Sequence, residues 1–317
     1  MNLVSINSDM KAFFKNLLIV LFFIVLADQV VGAMLRYFYF RQESGLEYQT
    51  IYSMNKTSED VLIFGSSRAS HHYIPSIITD STGYSCYNTG REGNFTLYEL
   101  AILRGVLKRY KPKFIVVDFT VKEFLEFPGS YDPLSNLLPF YRGNPDIRDI
   151  IKLRGDYEPL KLSSAIYPFN SLMPVILIGN MEYNKKRKAN DNGYFALHGK
   201  MKHPPQELKL DRTYPIDSNK VNAFRSILEL CNAKNIPVMV VVSPYYDKYS
   251  SQDYSVELAK EMAAKYDVPF YDFLQYSPIA GNPEMFQDKD HLSYSGARIL
   301  SGKIASLIRE NISSSNE

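Results

Sequence analysis

Apolar positions fall into one long run near the N-terminus and a series of short runs further along. Leu17 to Ala27 carries no polar side chain, Asp28-Gln29 interrupts it, and Val30 to Leu35 is again mostly apolar. Phe13 to Leu35 is long enough to cross a bilayer as a helix, which takes about 20 mostly apolar residues. Lys11 and Lys15 precede the run, so the positive-inside bias leaves the N-terminus cytoplasmic and exports the rest, although Arg36 and Arg41 follow closely. A cleaved signal peptide is the alternative, but no A-x-A-like site follows the run. Asp28 is costly inside a span. Either the helix ends near Ala27 and Asp28 sits among headgroups, or Asp28 contacts a partner membrane protein.

The later runs alternate between two periods. Val61 to Phe64, Lys113 to Phe119, Ile236 to Val242 and Val268 to Tyr271 are short and mostly apolar, the mark of buried parallel strands, and Tyr84 to Asn88 is a candidate second strand. Between them Ile74 to Asp80, Leu97 to Lys108, Asp217 or Ser218 to Ala233, Tyr254 to Tyr266 and Ser293 to Glu310 read as helices, several with apolar residues at helical spacing. This alternation predicts α/β architecture. Residues 37–59 form a connector without a strong period. Residues 124–215 break the pattern with Pro-Gly turns, scattered aromatics and a Lys185–Lys188 run, and read as an insertion, helical in part over Ile147 to Leu153 and Ser171 to Ile178. The Lys run is a solvated loop or a contact for glycan or lipid headgroups. The expected layout is a start and anchor over 1–36, the connector, a main domain over 60–312 carrying the insertion, and a tail over 313–317.

Composition changes this picture little. A net charge of +2 in 317 residues gives no argument for nucleic acid. Cys86 and Cys231 lie far apart with no metal-ligand spacing, and are either two free core thiols or one disulfide. No cofactor or metal is called for.

Three loops carry the candidate chemistry. The first strand ends in Gly65-Ser66-Ser67-Arg68, which sets a serine where open α/β sheets bind ligands. The second strand is followed by Asn88-Thr89-Gly90-Arg91-Glu92-Gly93-Asn94, whose glycines allow close approach of an N–H to a developing oxyanion. The last helix is preceded by Asp288-Lys289-Asp290-His291, where an acid three residues from an imidazole supplies a base and its orienting group. Singly, each has a plain reading: a helix cap, a Gly turn, a surface histidine. Ser70 and His71 form an adjacent Ser/His pair, a poor start for a triad assembled in space. Arg68 would hold an acidic polymer, brace the loop or pair with a carboxylate such as Asp118.

Taken together, Gly-x-Ser, the block ending in Gly93 and Asp-x-x-His resemble the SGNH/GDSL hydrolases over roughly residues 61–119 and 217–309. The resemblance implies a three-layer α/β/α sandwich with a mostly parallel, flavodoxin-like sheet. It makes Ser67 the nucleophile, His291 its base, Asp288 the orienting acid, and the Ser67 and Gly93 amides the oxyanion hole. The sequence departs from the family twice. Ser66 replaces the usual Asp, and the third block lacks its Asn, leaving Asn94, Asn88 or another group as a stand-in, or a hole of two donors. With the anchor, the chain is similar to the membrane-anchored SGNH-like proteins that accompany membrane-bound O-acyltransferases in acylating cell-envelope polymers. That implies a single-pass protein with its domain outside the membrane, acting on acyl, commonly acetyl, esters of glycans. A non-catalytic glycan-binding or scaffold partner of such an acyltransferase, and a lipid esterase with an aromatic lid, are the other readings.

Overall fold

The computed structural model describes residues 3–181, 191–209 and 213–314; the Lys185–Lys188 run lies outside them. Helix α1 (Leu3–Phe40) is longer than the apolar run that predicts it. It ends neither at Ala27 nor at Leu35, because its last turns are taken up by the rest of the chain: Tyr39 is fully buried. The connector contains a helix, α2 (Gly45–Asn55), that the sequence pattern does not reveal. The residues it buries include Glu47, Gln49, Thr50 and Ser53, so burial here follows hydrogen bonding and leaves no apolar period.

The main sheet holds β1 (Val61–Phe64), β2 (Cys86–Asn88), β3 (Phe114–Asp118), β5 (Val238–Val242) and β7 (Phe270–Asp272), in spatial order β2-β1-β3-β5-β7 with every pair parallel. A second, two-stranded sheet pairs β4 (Glu207–Leu208) with β6 (Lys248–Tyr249). The order reverses between β1 and β3, so this is a doubly wound sheet with its switch point there. Strand side chains alternate between two cores. Val61, Ile63, Phe114, Val116, Met239 and Val241 face one, shared with α3 (Ser67–His72), α4 (Pro75–Thr82) and the last helix. Leu62, Phe64, Ile115, Val117, Val240 and Val242 face the other, shared with α5 (Thr96–Leu107) and two later helices. The fold is thus an α/β/α sandwich with helices on both faces.

The insertion builds short helices: 3-10 turns at Asp132–Phe140, Pro145–Ile147 and Tyr167–Leu172, and α6 (Arg148–Lys152), α7 (Glu158–Lys161) and α8 (Met173–Gly179). Regular structure resumes with α9 (Ser218–Ala233), capped by the Asp217 carboxylate, which accepts from the Asn219 and Lys220 amides. Next come α10 (Tyr254–Lys265) and α11 (Tyr294–Ser314). Cys86 and Cys231 are separate buried thiols, which excludes the disulfide.

Candidate active site

The loops after β1 and β2 and the loop before α11 meet at the carboxyl ends of the strands. Gly65 permits the first turn: its φ is +152°, and a Cβ there would come within 2.6 Å of Ala69 Cβ and 3.0 Å of Asp118 Cβ. Ser66 caps α3, its hydroxyl accepting from the Arg68 amide at 3.3 Å. A bracing role remains at this position although the Asp expected from the resemblance is absent.

Ser67 Oγ lies 2.8 Å from His291 Nε2, and His291 Nδ1 lies 3.0 Å from each Asp288 oxygen. A carboxylate beside Nδ1 favours the tautomer protonated there, which leaves Nε2 to accept the serine proton. Asp288 Oδ1 also accepts from the Asp290 and His291 amides at 2.9 Å. Partial burial of Asp288 works against its charged form, but the hydrogen bonds from His291 and the two amides outweigh it and hold the carboxyl below its usual range.

These residues open onto a pocket of about 490 Å³ lined by Ser67, Gly93, Phe95, Thr120, Tyr245 and Tyr249 among others, with Lys122, Lys209 and Lys289 also on its walls. Ser67 and Gly93 line it, and neither amide has an acceptor among the described residues. The two asparagines are spent elsewhere. Asn88 is fully buried, its Nδ2 donating to the Ala69 and Tyr73 carbonyls at 2.7 and 2.9 Å, its Oδ1 accepting from the Gly90 amide. Asn94 donates to the Glu92 carbonyl at 2.9 Å and accepts from Asn136. Both fix the shape of the second loop, and neither is among the residues lining the pocket, so neither is placed to act as the stand-in oxyanion donor that the resemblance leaves open. The loop after β3 brings Thr120 to the pocket wall, its hydroxyl donating to Glu123.

Arg68 also corrects an expectation. It is 4% exposed, and both terminal nitrogens of its guanidinium are occupied while Nε has no partner among the described residues: Nη1 donates to the Asp290 carbonyl at 2.5 Å, Nη2 to the Ser243 and Pro244 carbonyls and to Ser243 Oγ at 2.7–2.9 Å. It stacks 3.6 Å from the Tyr245 ring centroid. Arg68 therefore clamps the end of β5 to the loop carrying His291, which is the bracing role, while it also lines the pocket. It makes no ion pair with Asp118; that buried carboxyl accepts from Tyr73 at 2.5 Å. Burial pushes Asp118 up to about 6, with the Arg68 charge and hydrogen bonds from Tyr73 and Ser243 opposing it.

Sequence reasoning passed over several supports. His72 is buried, with Nδ1 on Ser243 Oγ at 2.9 Å and Nε2 accepting from the Leu292 amide at 3.0 Å, next to His291. Burial, with the neighbouring Arg68 charge, keeps it neutral, well below the usual histidine range. Arg91 ties the second loop to α2 through Glu47 at 2.7 Å, and Glu47 accepts from Tyr39 of α1 at 3.0 Å. The adjacent pair is not a site: Ser70 Oγ is buried without a partner, and His71 bonds the Phe195 carbonyl and Glu92. Among the described residues no cluster of His, Cys, Asp and Glu is arranged to hold a metal ion.

Asp28 is also bonded within the chain. Its half-buried carboxylate accepts from Ser164 Oγ at 2.5 Å and from the Ala165 and Ile166 amides at 2.7 and 3.3 Å, which ties α1 to the insertion.

No protein-family model matches the chain, and no curated protein sequence does. Among solved structures it is similar to an assigned acylhydrolase from Bacteroides fragilis, at 13% identity and TM-score 0.42 over 85% of this chain and 100% of that one. It is similar to an acetyl xylan esterase at 13% identity and TM-score 0.39, over 78% and 99%. It is similar to the aryl esterase of M. smegmatis at 12% identity and TM-score 0.33, over 79% and 98%.

Proposed function

We propose that the chain is a membrane-anchored serine acyl-ester hydrolase or O-acyltransferase of SGNH type, acting on acyl esters of cell-envelope glycans outside the membrane. The observation that carries this reading is the run of contacts Ser67 Oγ to His291 Nε2 and His291 Nδ1 to Asp288 at the rim of a pocket. Ser67 Oγ attacks the ester carbonyl while His291 Nε2 takes its proton. Asp288 holds the ring and stabilises the imidazolium. The tetrahedral oxyanion is met by the Ser67 and Gly93 amides. His291 then returns the proton to the departing alcohol, leaving acyl-Ser67. Water or a sugar hydroxyl, deprotonated by the same nitrogen, takes the acyl group. The acceptor that reaches the pocket decides between hydrolysis and transfer.

Two further features support the substrate and the setting. Lys122, Lys209 and Lys289 beside Phe95, Tyr245 and Tyr249 suit a sugar polymer, aromatic faces for the rings and cations for any acidic groups. The bonds that bind α1 into the domain through Asp28 and Tyr39 favour an anchor that is kept, since cleavage would unpair groups buried in the fold. The N-terminus is then cytoplasmic, and a membrane-bound O-acyltransferase is the partner class we expect. The test is release of p-nitrophenol from its acetate ester. Ser67→Ala and His291→Ala should each abolish it. Wild-type activity that survives both changes would refute the triad, and an inactive wild type that still binds glycan would favour the non-catalytic scaffold.

A further inference from the structure

The insertion's lower surface is unusually apolar for a protein exterior. Of the eleven large apolar side chains exposed outside α1 among the described residues, seven lie between Tyr157 and Met181. Tyr157, Leu160 and Leu177 are each 70% exposed or more. Scattered surface apolar residues are ordinary, but a concentration of this kind marks an interaction surface.

Its position identifies what covers it. The segment from Ser164 to Asn180 runs alongside the outer part of α1. It begins where Asp28 caps the Ala165 and Ile166 amides and ends where Asn180 Nδ2 donates to the Phe38 carbonyl at 2.9 Å. Midway, Gly32 meets Ala165 so closely that a Cβ on Gly32 would come within 2.3 Å of it. From Asp28 to Phe38 a helix rises about 15 Å, half of a hydrocarbon core of about 30 Å. From Lys15 to Tyr37 it rises about 33 Å, so a cation and an aromatic bracket one bilayer thickness.

The outward face of α1 stays apolar through that length, with Val30, Val31, Met34 and Phe38 exposed. Polar side chains at the same level are paired within the chain: half-buried Asp28 on the insertion and half-buried Arg36 on the Pro139 carbonyl, with exposed Gln29 donating to Asp28 and exposed Arg142 to the Ser163 carbonyl. Polar groups paired within the chain beside a mainly apolar face are what lipid requires of a protein surface.

We propose that the α7–α8 part of the insertion is an apolar foot seated in the outer leaflet, continuous with the lipid-facing side of α1. The proposal rests on the reading of α1 as a retained membrane anchor. Lys161, half-exposed, keeps its ammonium 3.4 Å from the carboxylate of buried Glu158, so its charge is paired within the foot. The foot holds the domain at a fixed height and orientation on the membrane. Through Tyr39, Glu47 and Arg91 the same anchor reaches the loop that carries Gly93.

The chain contains no Trp, so each single Trp substitution reports alone. Full-length Leu177→Trp and Leu160→Trp, with Leu21→Trp as a span reporter and Ile299→Trp as a water-facing one, are reconstituted in phosphatidylcholine vesicles with and without bromine along the acyl chains. The foot predicts blue-shifted emission at 177 and 160 and quenching by brominated lipid of at least half the loss seen at 21, with none at 299. Emission typical of water at 177 and 160, with quenching at 21, overturns the foot and leaves the anchor standing. Blue-shifted but unquenched emission at both also overturns it, since a second copy of the chain would then cover the face. No quenching at 21 removes the anchor and the foot with it. Two reporters on separate helices keep the test decisive if one variant misfolds.

Discussion

Arg68→Met separates a clamp from a substrate-binding residue. The substitution keeps an apolar stem and removes the guanidinium. Nη1 then leaves the Asp290 carbonyl without its donor, and Nη2 leaves the Ser243 and Pro244 carbonyls and Ser243 Oγ. A hydrogen bond involving a charged group contributes about 1.5–3 kcal/mol. The three acceptors of Nη2 share one nitrogen, so the two nitrogens count as roughly two such bonds. Stacking on Tyr245, 3.6 Å away and desolvated, adds about 1–2 kcal/mol, part of which the Met side chain recovers by packing. The expected loss is about 3–5 kcal/mol, the size found when one partner of a buried charged group is removed. Urea unfolding of the full-length protein in detergent measures it. Turnover of p-nitrophenyl acetate should fall more in kcat than KM rises, because the loop bearing His291 is loosened while the Met side chain keeps an apolar stem on the pocket wall. Arg68→Lys, which keeps the charge but not the fork, should recover part of both losses. An unfolding midpoint unchanged in Arg68→Met, together with a raised KM for an acidic glycan, would show that the side chain meets substrate and that the clamp is wrong.

Three further outcomes are expected. Asp288→Asn should lower kcat/KM for the same ester about 100-fold, less than for a fully buried triad acid because the Asp288 side chain is 51% exposed and water replaces part of its role; rates within twofold of wild type would remove Asp288 from the mechanism. Asp118, raised to about 6 by burial, binds its proton more tightly folded than unfolded. The stability this gives is complete below about pH 4 and is lost as pH rises through about 6, some 3 kcal/mol in all, so Asp118→Asn should flatten that fall in urea unfolding between pH 4.5 and 7.5. An equally steep fall in the variant would contradict it. Asp28→Ala unpairs two amides at the start of a 3-10 turn, costs about 1–2 kcal/mol locally, and should speed proteolytic cutting within the insertion while leaving ester turnover intact; unchanged cutting would argue against the cap.

The central strands β1, β3 and β5 were legible because their Val, Ile and Phe residues are buried on both faces and read as apolar runs, and the helices because apolar residues recur at helical spacing. Ser67, Gly93, Asp288 and His291 could be named because each stands in a short block at the end of a strand or before a helix. What escaped the sequence shares one physical cause. Arg68, Asn88 and Asp28 all bond backbone atoms distant in the chain, and a carbonyl or amide has no letter in a sequence. Helix α2 was hidden likewise, since Glu47 and Gln49 are buried against Arg91 and the Gly90 and Gly193 carbonyls rather than against apolar side chains.

The central claim is that reaction runs through acyl-Ser67. Intact-mass and peptide mapping of the full-length protein after a fluorophosphonate tests it most directly. The account predicts a single adduct on Ser67, absent in Ser67→Ala and formed far more slowly in His291→Ala. An enzyme that turns over ester yet carries no adduct, or carries it on another residue, would contradict it.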